Sequence, residues 1–597
     1  MTRTRRVLPW AALALAAGCG RAPEFNPDEL AVGPGGMVGN GAAITDGLFA
    51  GGDDVLPTAR SVTPPDDTRP PDCNAECIAY CAATGLENPV NRGLCRSLWG
   101  VGLSPRPIAG DEACRRLFVD LWGRFPTAEE MSGCSGGWGD TVRRLMADDR
   151  FVQLNQRRWA DTFLYSTEVV SVQSIYDMDR LTAKLLRGLV PYDLFAAVAS
   201  AHPVLTRRHA DARDTVEALF HTFLGRPPFE NERADMARLY NVWEDGYYDH
   251  PYLGMRLPDA FLRFPCLDQD GNVDPELKGE CTSVLWGYHE LVFQPDLRAT
   301  VDVRTGEPAT WAGLLRAAEW ERAQVPGRIL ADDLAFWEKA VGDVLVQYLG
   351  YDLAHQVPEV REELVKYLLA NQGDLRSVHF AVATSIAYLQ SNEGASAASY
   401  RWTYGPLKQL DAEVWLDSLG LLAARGDGTC DHRITSPESF LRAGSLSAYR
   451  VLDRSGWGFD ANGDLDTRYS NAARTLGGCP RNVVAGRFKV VSILTTATQL
   501  EVVADACNPT LDPDVAGAAI ERLLPAAMDP RRAVGPQVAR EIADHQYRAL
   551  LGRGASVEEL AEAESAGAEC ALTLCDAEDF ARPFCFALLS SAERVFY

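Results

Sequence analysis

One short pattern occurs three times in this chain and constrains its fold more than any other feature. "LWGRFPTAEE" spans 121–130, and its skeleton returns as "FLGRPPFENE" at 223–232 and as "LLGRGASVEE" at 550–559. In each copy an apolar helical run meets Gly-Arg, and the residues that follow can begin a second helix. The pattern predicts a helix–turn–helix corner at three places. The copies are unequally spaced, which excludes a solenoid of fixed period.

The first copy indicates how such a corner forms. Gly123 can adopt positive φ and end the first helix, and Pro126 cannot continue it. Thr127 and Glu130 have the spacing of a capping box, which begins the second helix. The apolar residues of the first helix share one face: Leu117, Phe118 and Leu121.

An arginine follows the glycine in every copy: Arg124, Arg226 and Arg553. We expect these arginines to bond the last carbonyls of the preceding helix and to complement its dipole. A ligand-binding role is the less favoured alternative. The third copy repeats the capping box with Ser556 and Glu559. The second copy has Phe229 at the cap position, so its second helix should begin less sharply.

The rest of the sequence also reads as helical, and we expect a mainly α, multi-domain protein with long irregular loops and disulfides. The predicted helical stretches are 139–165, 176–200, 310–325, 329–350, 357–371, 374–391, 410–424 and 536–551. The best strand signal is "RFKVVSIL" at 487–494. The predicted domains are an N-terminal helical domain (73–300), a central helical domain (301–425), a loop-rich disulfide segment (426–515) and a C-terminal helical domain (516–597).

The N-terminus has the features of a bacterial lipoprotein signal peptide over residues 1–18. Three arginines precede an apolar run of about ten residues, which is too short to span a bilayer, and small residues then lead to Cys19. We expect cleavage before Cys19 and acylation of that cysteine, palmitate included, as a membrane anchor. Gly20 favours the outer membrane. An ordinary secretory signal is the alternative, and "TRRVL" leaves twin-arginine export open.

Residues 19–72 are rich in Gly, Pro and Asp and hold no apolar period, which is typical of a disordered tether. Such a segment of about 53 residues would have a mean reach of roughly 40 Å. The formal net charge of −24 argues against nucleic-acid partners and against adsorption on anionic lipid. Partners in the envelope, basic proteins or cations fit this charge better.

Fifteen cysteines less Cys19 leave an even number, which in an oxidising envelope indicates disulfides. The candidates are Cys73, Cys77, Cys81, Cys95, Cys114, Cys134, Cys266, Cys281, Cys430, Cys479, Cys507, Cys570, Cys575 and Cys585. "CNAECIAYC" puts three of them on one helix face, which suits stapling to a helix that carries Cys95. A metal cluster is disfavoured because no Cys-x-x-Cys pair is present.

Six stretches resemble a domain-of-unknown-function family of planctomycetes and myxobacteria that often occurs with c-type cytochrome modules. The family's first domain is similar to "RRLFVDLWGRFPTAEE", "RRWADTFLYST" and "VPYDLFAAVAS". Its C-terminal partner domain is similar to "GDLRSVHFAVATSIAYLQSN" and "YGPLKQLDAEVWLDSLG", and its closing helix to "CFALLSSAERVFY". The resemblance implies an architecture and a cytochrome-type partner, but no activity.

Many members of that family carry Cys-x-x-Cys-His after a stretch like "DTVEALFHTFLG" at 214–225. Here "RPPFENERADM" follows, and the motif is absent from the whole sequence. Covalent haem is therefore excluded, and an electron-transfer role loses its direct support.

Two acidic loops are candidates for Ca²⁺, because each supplies oxygen ligands at alternate positions. The candidate ligands are Asp268, Asp270, Asn272 and Asp274 in the first loop, and Asp460, Asn462, Asp464 and Asp466 in the second. Neither loop has the glycine at position 6 or the glutamate at position 12 of an EF-hand. A solvated Asx-rich turn is the alternative.

No catalytic constellation can be read from the sequence. "GCSGG" matches G-x-S-x-G around Ser135, but a helix precedes it where a nucleophile elbow needs a strand. The nine histidines form no metal-binding or catalytic spacing. We therefore expect a non-catalytic scaffold or binding module of the envelope, with a polymer hydrolase or an accessory protein of a cytochrome-type complex as alternatives.

Overall fold

The computed structural model describes residues 73–108, 110–163, 172–206, 212–241, 317–392, 401–420, 470–478, 492–508 and 520–597, together with Lys489 and six short strand segments. The described part of the chain is mainly α-helical. None of its helices is both long enough and apolar enough to cross a membrane. The division into four folded domains stays a prediction.

The described residues from 73 to 241 form eleven helices. They are α1 (Ala75–Ala83), α2 (Pro89–Gly100), α3 (Gly110–Trp122), α4 (Ala128–Ser132), α5 (Trp138–Met146), α6 (Asp149–Phe163), α7 (Val172–Leu186), α8 (Tyr192–Ala201), α9 (Pro203–Thr206), α10 (Ala212–Phe223) and α11 (Glu230–Asn241).

Twelve further helices follow. They are α12 (Ala317–Ala331), α13 (Leu334–Leu349), α14 (Leu353–Gln356), α15 (Pro358–Ala370), α16 (Leu375–Ala383), α17 (Ala412–Gly420), α18 (Ser470–Thr475), α19 (Ile493–Cys507), α20 (Pro536–Gln546), α21 (Val557–Leu572), α22 (Ala577–Leu589) and α23 (Ala592–Val595). A π-helical turn, Tyr547–Leu551, extends α20.

Strands are minor in the part of the chain that the structure describes, where they form three antiparallel pairs. They are β1 (Tyr247–Asp249) with β2 (Arg256–Pro258), β3 (Thr300–Val301) with β4 (Pro308–Ala309), and β5 (Gly458–Phe459) with β6 (Leu465–Asp466). The strand predicted at 487–494 is wrong in its described part, because α19 begins at Ile493. The Ser492 hydroxyl accepts from the Thr495 amide, and this cap starts a helix within the apolar run.

Two hydrophobic cores organise the helices, and α3 contributes to both. Leu117 and Phe118 lie in the first core, which draws its residues from α2 through α16 and from Trp402. Val119 and Phe125 lie in the second core, with residues of α17 to α22. The predicted apolar face of α3 is confirmed as buried. Because α3 bridges the two cores, polar residues on α3 lie at the junction between them.

Five disulfides connect described cysteines. The pairs are Cys73–Cys77, Cys81–Cys95, Cys114–Cys134, Cys507–Cys585 and Cys570–Cys575. The predicted staple between α1 and α2 is made by Cys81 alone, since Cys77 is bonded to the cysteine that precedes the helix. The remaining candidates lie outside the described residues: Cys266, Cys281, Cys430 and Cys479.

Candidate functional site

The three repeated corners share one polar arrangement, seen first at 121–130. Gly123 has a φ of 70° and ends α3. The Arg124 guanidinium then forks onto Glu130 at 2.7 and 2.8 Å and also donates to the Phe125 carbonyl at 2.9 Å. Glu130 accepts the Thr127 amide at 2.8 Å, which completes the predicted capping box. We call this arrangement the arginine–glutamate clasp.

The other two corners repeat the clasp with the same spacing. Arg226 forks onto Glu232 with two bonds of 2.8 Å, and Arg553 forks onto Glu559 at 2.7 and 2.8 Å. Glu232 still accepts the Phe229 amide at 2.7 Å, so half of the capping box survives in the second copy. The hydrogen bonds from Arg553 lower the pKa of Glu559 to about 2.

The corner arginines are structural, but the partner predicted for them is wrong. Each guanidinium binds a carboxylate six residues later and the carbonyl of the next residue, not the last carbonyls of the preceding helix. The first and third corners adjoin, because Glu593 binds both Arg115 and Arg553. All three guanidinium groups are held by their own glutamates, so the clasps offer no common ligand pocket.

Most of the site residues predicted from sequence lie outside the described part of the chain. These are Cys19 and seven of the eight candidate calcium ligands: Asp268, Asp270, Asn272, Asp274, Asp460, Asn462 and Asp464. The eighth, Asp466, lies in β6, which pairs with β5 across that loop. Ser135 lies in a 3₁₀ turn after α4, beside the bridged Cys134, which agrees with its exclusion as a nucleophile.

A buried carboxylate lies where the two cores meet. Asp120 on α3 is fully buried and accepts from the hydroxyls of Tyr388, at 2.9 Å, and of Tyr597, at 2.8 Å. The Lys408 ammonium makes an ion pair with the same carboxylate. The three partners come from segments 268 to 477 residues away from Asp120. Asp120 therefore holds distant parts of the chain together.

Lys408 is enclosed by its partners. Its ammonium also donates to the Gln347 carbonyl at 3.1 Å and lies 4.6 Å from the centre of the Tyr597 ring. The backbones of Lys408 and Tyr597 pair through hydrogen bonds of 2.9 and 3.0 Å. Burial lowers the pKa of Lys408 to about 8, although the Asp120 carboxylate opposes this shift. These contacts make Lys408 mainly a link between the cores.

Arg158 on α6 lies next to this link and has few partners. One of its terminal nitrogens donates to the Asp120 backbone carbonyl at 3.3 Å and contacts the Asn155 amide oxygen at 3.5 Å. Within the described residues, no carboxylate makes an ion pair with it. Burial lowers the pKa values of Lys408 and His379, and the positive charge of Arg158 lowers both further. Arg158 is thus a cation that no carboxylate of the described residues contacts directly.

His379 on α16 is a poor candidate for acid–base chemistry. Burial lowers its pKa to about 3, so the ring is neutral at physiological pH. Its Nδ1 is 3.0 Å from the Tyr348 hydroxyl, and the Phe151 ring packs against it edge-on at 5.4 Å. We assign His379 a packing role with one polar contact.

A cleft of about 570 Å³ lies beside these residues. Its lining includes Arg158, Lys408, His379 and Tyr597. One wall comes from α6, α13 and α16 of the first core, and the other from residues 407–411, Lys489 and Tyr597. Its cations are Arg158, Lys339, Arg401, Lys408 and Lys489. Its carboxylates are Asp343 and Asp411, which pair with Lys339 and Lys489, the latter at 2.8 Å. The described lining is therefore net cationic, in a chain of net charge −24.

The charges of the described lining favour the binding of an anion. A general acid–base pair needs two titratable groups that converge on one point with pKa values set apart. Among the described lining side chains, both carboxylates pair with lysines, burial raises the pKa of Asp343, and His379 is neutral. A guanidinium without a described carboxylate partner, in a cleft of this size, instead favours an anionic ligand.

Sequence reasoning did not single out any residue of this cleft. One signal was available: Asp120 interrupts the apolar run "LFVDLW", and a charge on a buried helix face needs a partner. Nothing local identifies that partner as Lys408, which lies 288 residues further along.

Comparisons with protein-family models, curated proteins and solved structures found no match for this chain. The family resemblance noted in the sequence stays a prediction. The function has to be argued from the geometry of the cleft.

Proposed function

We propose that this protein is a non-catalytic binding module of the cell envelope, anchored through Cys19, whose cleft binds an anionic ligand. The observation that carries this proposal is Arg158, which lies in the cleft wall without a carboxylate partner among the described residues. Water and salt would screen the charge of an exposed arginine. A guanidinium inside a cleft loses much of that screening and attracts an anion more strongly.

Arg401 adds a second positive charge to the lining, weaker in its effect because solvent screens it. It is exposed, lies over the Tyr351 ring at 5.1 Å, and makes no ion pair with a described carboxylate. An acidic surface repels anions in general, so a cationic cleft in this chain would concentrate them at one place.

The six segments that resemble the planctomycete and myxobacterial family also meet here. Asp120, Arg158 and Tyr192 come from the first three segments. The last three supply His379, Tyr388, Lys408 and Tyr597. If the resemblance holds, the cleft and its buried carboxylate are what the matching segments build together. A cytochrome-type partner remains an expectation of that resemblance, and no contact in the described structure favours it.

The anion site can be tested by calorimetric titration at constant ionic strength with inorganic phosphate, citrate and galacturonate. We expect at least one probe to bind, and Arg158→Gln to weaken its binding at least tenfold because the charged fork is lost. Arg158→Lys keeps the charge and should lie between the two.

Arg548→Gln is the matched control, since Arg548 is exposed on the π-helical turn and, within the described residues, makes an ion pair only with Asp544 in α20. It should bind like the unchanged protein. The proposal is refuted if none of the three probes binds, or if Arg158→Gln binds as tightly as the unchanged protein. The anchor is tested separately: Cys19→Ala should release the protein from membranes, and retention on the membrane would contradict a lipid anchor.

A further inference from the structure

We propose that the ligand of the cleft is an anionic carbohydrate, a sugar that carries a carboxylate or a phosphate. This inference rests on the proposed function and adds the chemical class of the ligand. Two features of the cleft support it: the edge that Arg158 leaves unused, and the polar groups around that edge.

Arg158 lines the cleft and uses only one nitrogen of its guanidinium in hydrogen bonds to the described residues. Its hydrogen bonds to the Asp120 carbonyl and the Asn155 side chain both use Nη1. Nε and Nη2 make no hydrogen bond to the described residues. These two nitrogens form the edge that receives two oxygens of one carboxylate or phosphate in parallel. The arginine therefore fits an anionic group at one end of a larger ligand.

The rest of the lining contains several polar groups without hydrogen bonds to described residues. An apolar ligand could not satisfy them. Three lining residues carry polar groups that make no hydrogen bonds to described residues: Trp159 at Nε1, Gln347 at Oε1 and Gln409 at its amide group. A hydrocarbon tail would displace water from these groups without replacing the lost hydrogen bonds. Hydroxyl groups both donate and accept, so a ring with several hydroxyls can satisfy donors and acceptors together.

The Trp159 indole already packs against two aromatic rings, so the proposal does not rely on its stacking on a sugar. Phe163 stacks on the indole at 5.3 Å, and Phe195 packs at 4.7 Å. Recognition would thus come from hydrogen bonds and from the charge, with the exposed Leu407 and Val346 touching the C–H faces of the sugar. A cleft of about 570 Å³ is within the range of small-molecule sites and has room for one or two sugar rings.

The test compares probes that separate charge from hydroxyl groups. Digalacturonate and glucose 6-phosphate carry both, cellobiose carries only hydroxyls, and hexanoate and inorganic phosphate carry only charge. Calorimetric titration of the full chain should give at least tenfold tighter binding for one of the charged sugars than for every other class. Arg158→Gln should remove that preference.

Gln409→Ala distinguishes hydroxyl recognition from simple charge attraction, because only the side chain of Gln409 changes and its backbone contacts remain. It should weaken binding of the charged sugar severalfold and leave binding of inorganic phosphate unchanged. The carbohydrate inference falls if hexanoate or inorganic phosphate binds as tightly as both charged sugars and depends on Arg158, and in that case the anion cleft stands. If no probe binds, both proposals fall.

Discussion

The arginine–glutamate clasps allow one chemical contact to be measured at three levels of burial in a single protein. Replacing each glutamate by glutamine removes the charge and keeps an oxygen that can accept the amide of the capping residue. The arginine side chains differ in exposure: 4% for Arg124, 13% for Arg553 and 31% for Arg226. The energetic cost of losing the carboxylate should follow burial, because water replaces a lost partner only where it can reach the guanidinium.

We expect Glu130→Gln to cost about 2–3 kcal/mol, since it removes the carboxylate that accepts both bonds of a buried guanidinium fork. Glu232→Gln should cost about 0.5–1 kcal/mol, as for an exposed pair. Glu559→Gln should fall between them at about 1–2 kcal/mol, because Arg553 keeps its second carboxylate, Glu593.

The assay is urea unfolding followed by circular dichroism. For each variant, the urea midpoint is compared with that of the unchanged protein. Glu129→Gln and Glu558→Gln are the matched controls. Each removes the same charge from an exposed first-turn glutamate next to a clasp and should shift the midpoint little. Equal losses at the three corners, or the largest loss at Glu232, would refute burial as the determinant.

Three further predictions concern the cores. His379 binds a proton below about pH 6.5 in the unfolded chain, but only near pH 3 in the native chain. Protonation of the unfolded chain should therefore lower the free energy of unfolding by about 5 kcal/mol as the pH falls between these values. Urea midpoints measured against pH should lose this dependence in His379→Gln. Gly327→Ala would put its Cβ 2.4 Å from the Ala196 carbonyl oxygen and should cost at least about 2 kcal/mol, seen as a lower melting temperature. Asp120→Asn should cost about 3–5 kcal/mol in urea unfolding by leaving Lys408 buried and charged, and adding Lys408→Met should recover part of that loss.

The parts of the fold that could be predicted from sequence are those set by nearby residues. The positive φ of Gly123 and the capping box of Thr127 and Glu130 depend on a few consecutive positions, and both predictions are confirmed. The partner of Arg124 was missed because the turn must first close before residue 130 comes within reach. The strand expected at 487–494 failed where Ser492 caps a helix, since a local cap outweighed the apolar pattern.

The cleft could not be predicted because it is built from contacts that are distant in sequence. Asp120 meets Tyr597 across 477 residues, and Arg158 reaches the same point from another helix. Neither contact leaves a periodic or spaced signal. The buried Asp120 could have predicted a polar partner, but not that the partner would be Lys408 or that a cleft would open beside the pair.

The charges around that pair connect the stability of the fold with the proposed ligand. One carboxylate, Asp120, adjoins three cations: Lys408, Arg158 and the buried Arg116, which donates to the carbonyls of Tyr388 and Gln390. Arg158 makes no ion pair with a described carboxylate, and burial lowers the pKa of Arg116 although the Asp120 and Glu112 carboxylates oppose that shift. An anion on the unused edge of Arg158 would offset the charge of that guanidinium. It would bind in a cleft whose two walls belong to different cores. Binding should therefore raise the stability of the junction as well as fill the site, by an amount that grows with ligand concentration over Kd.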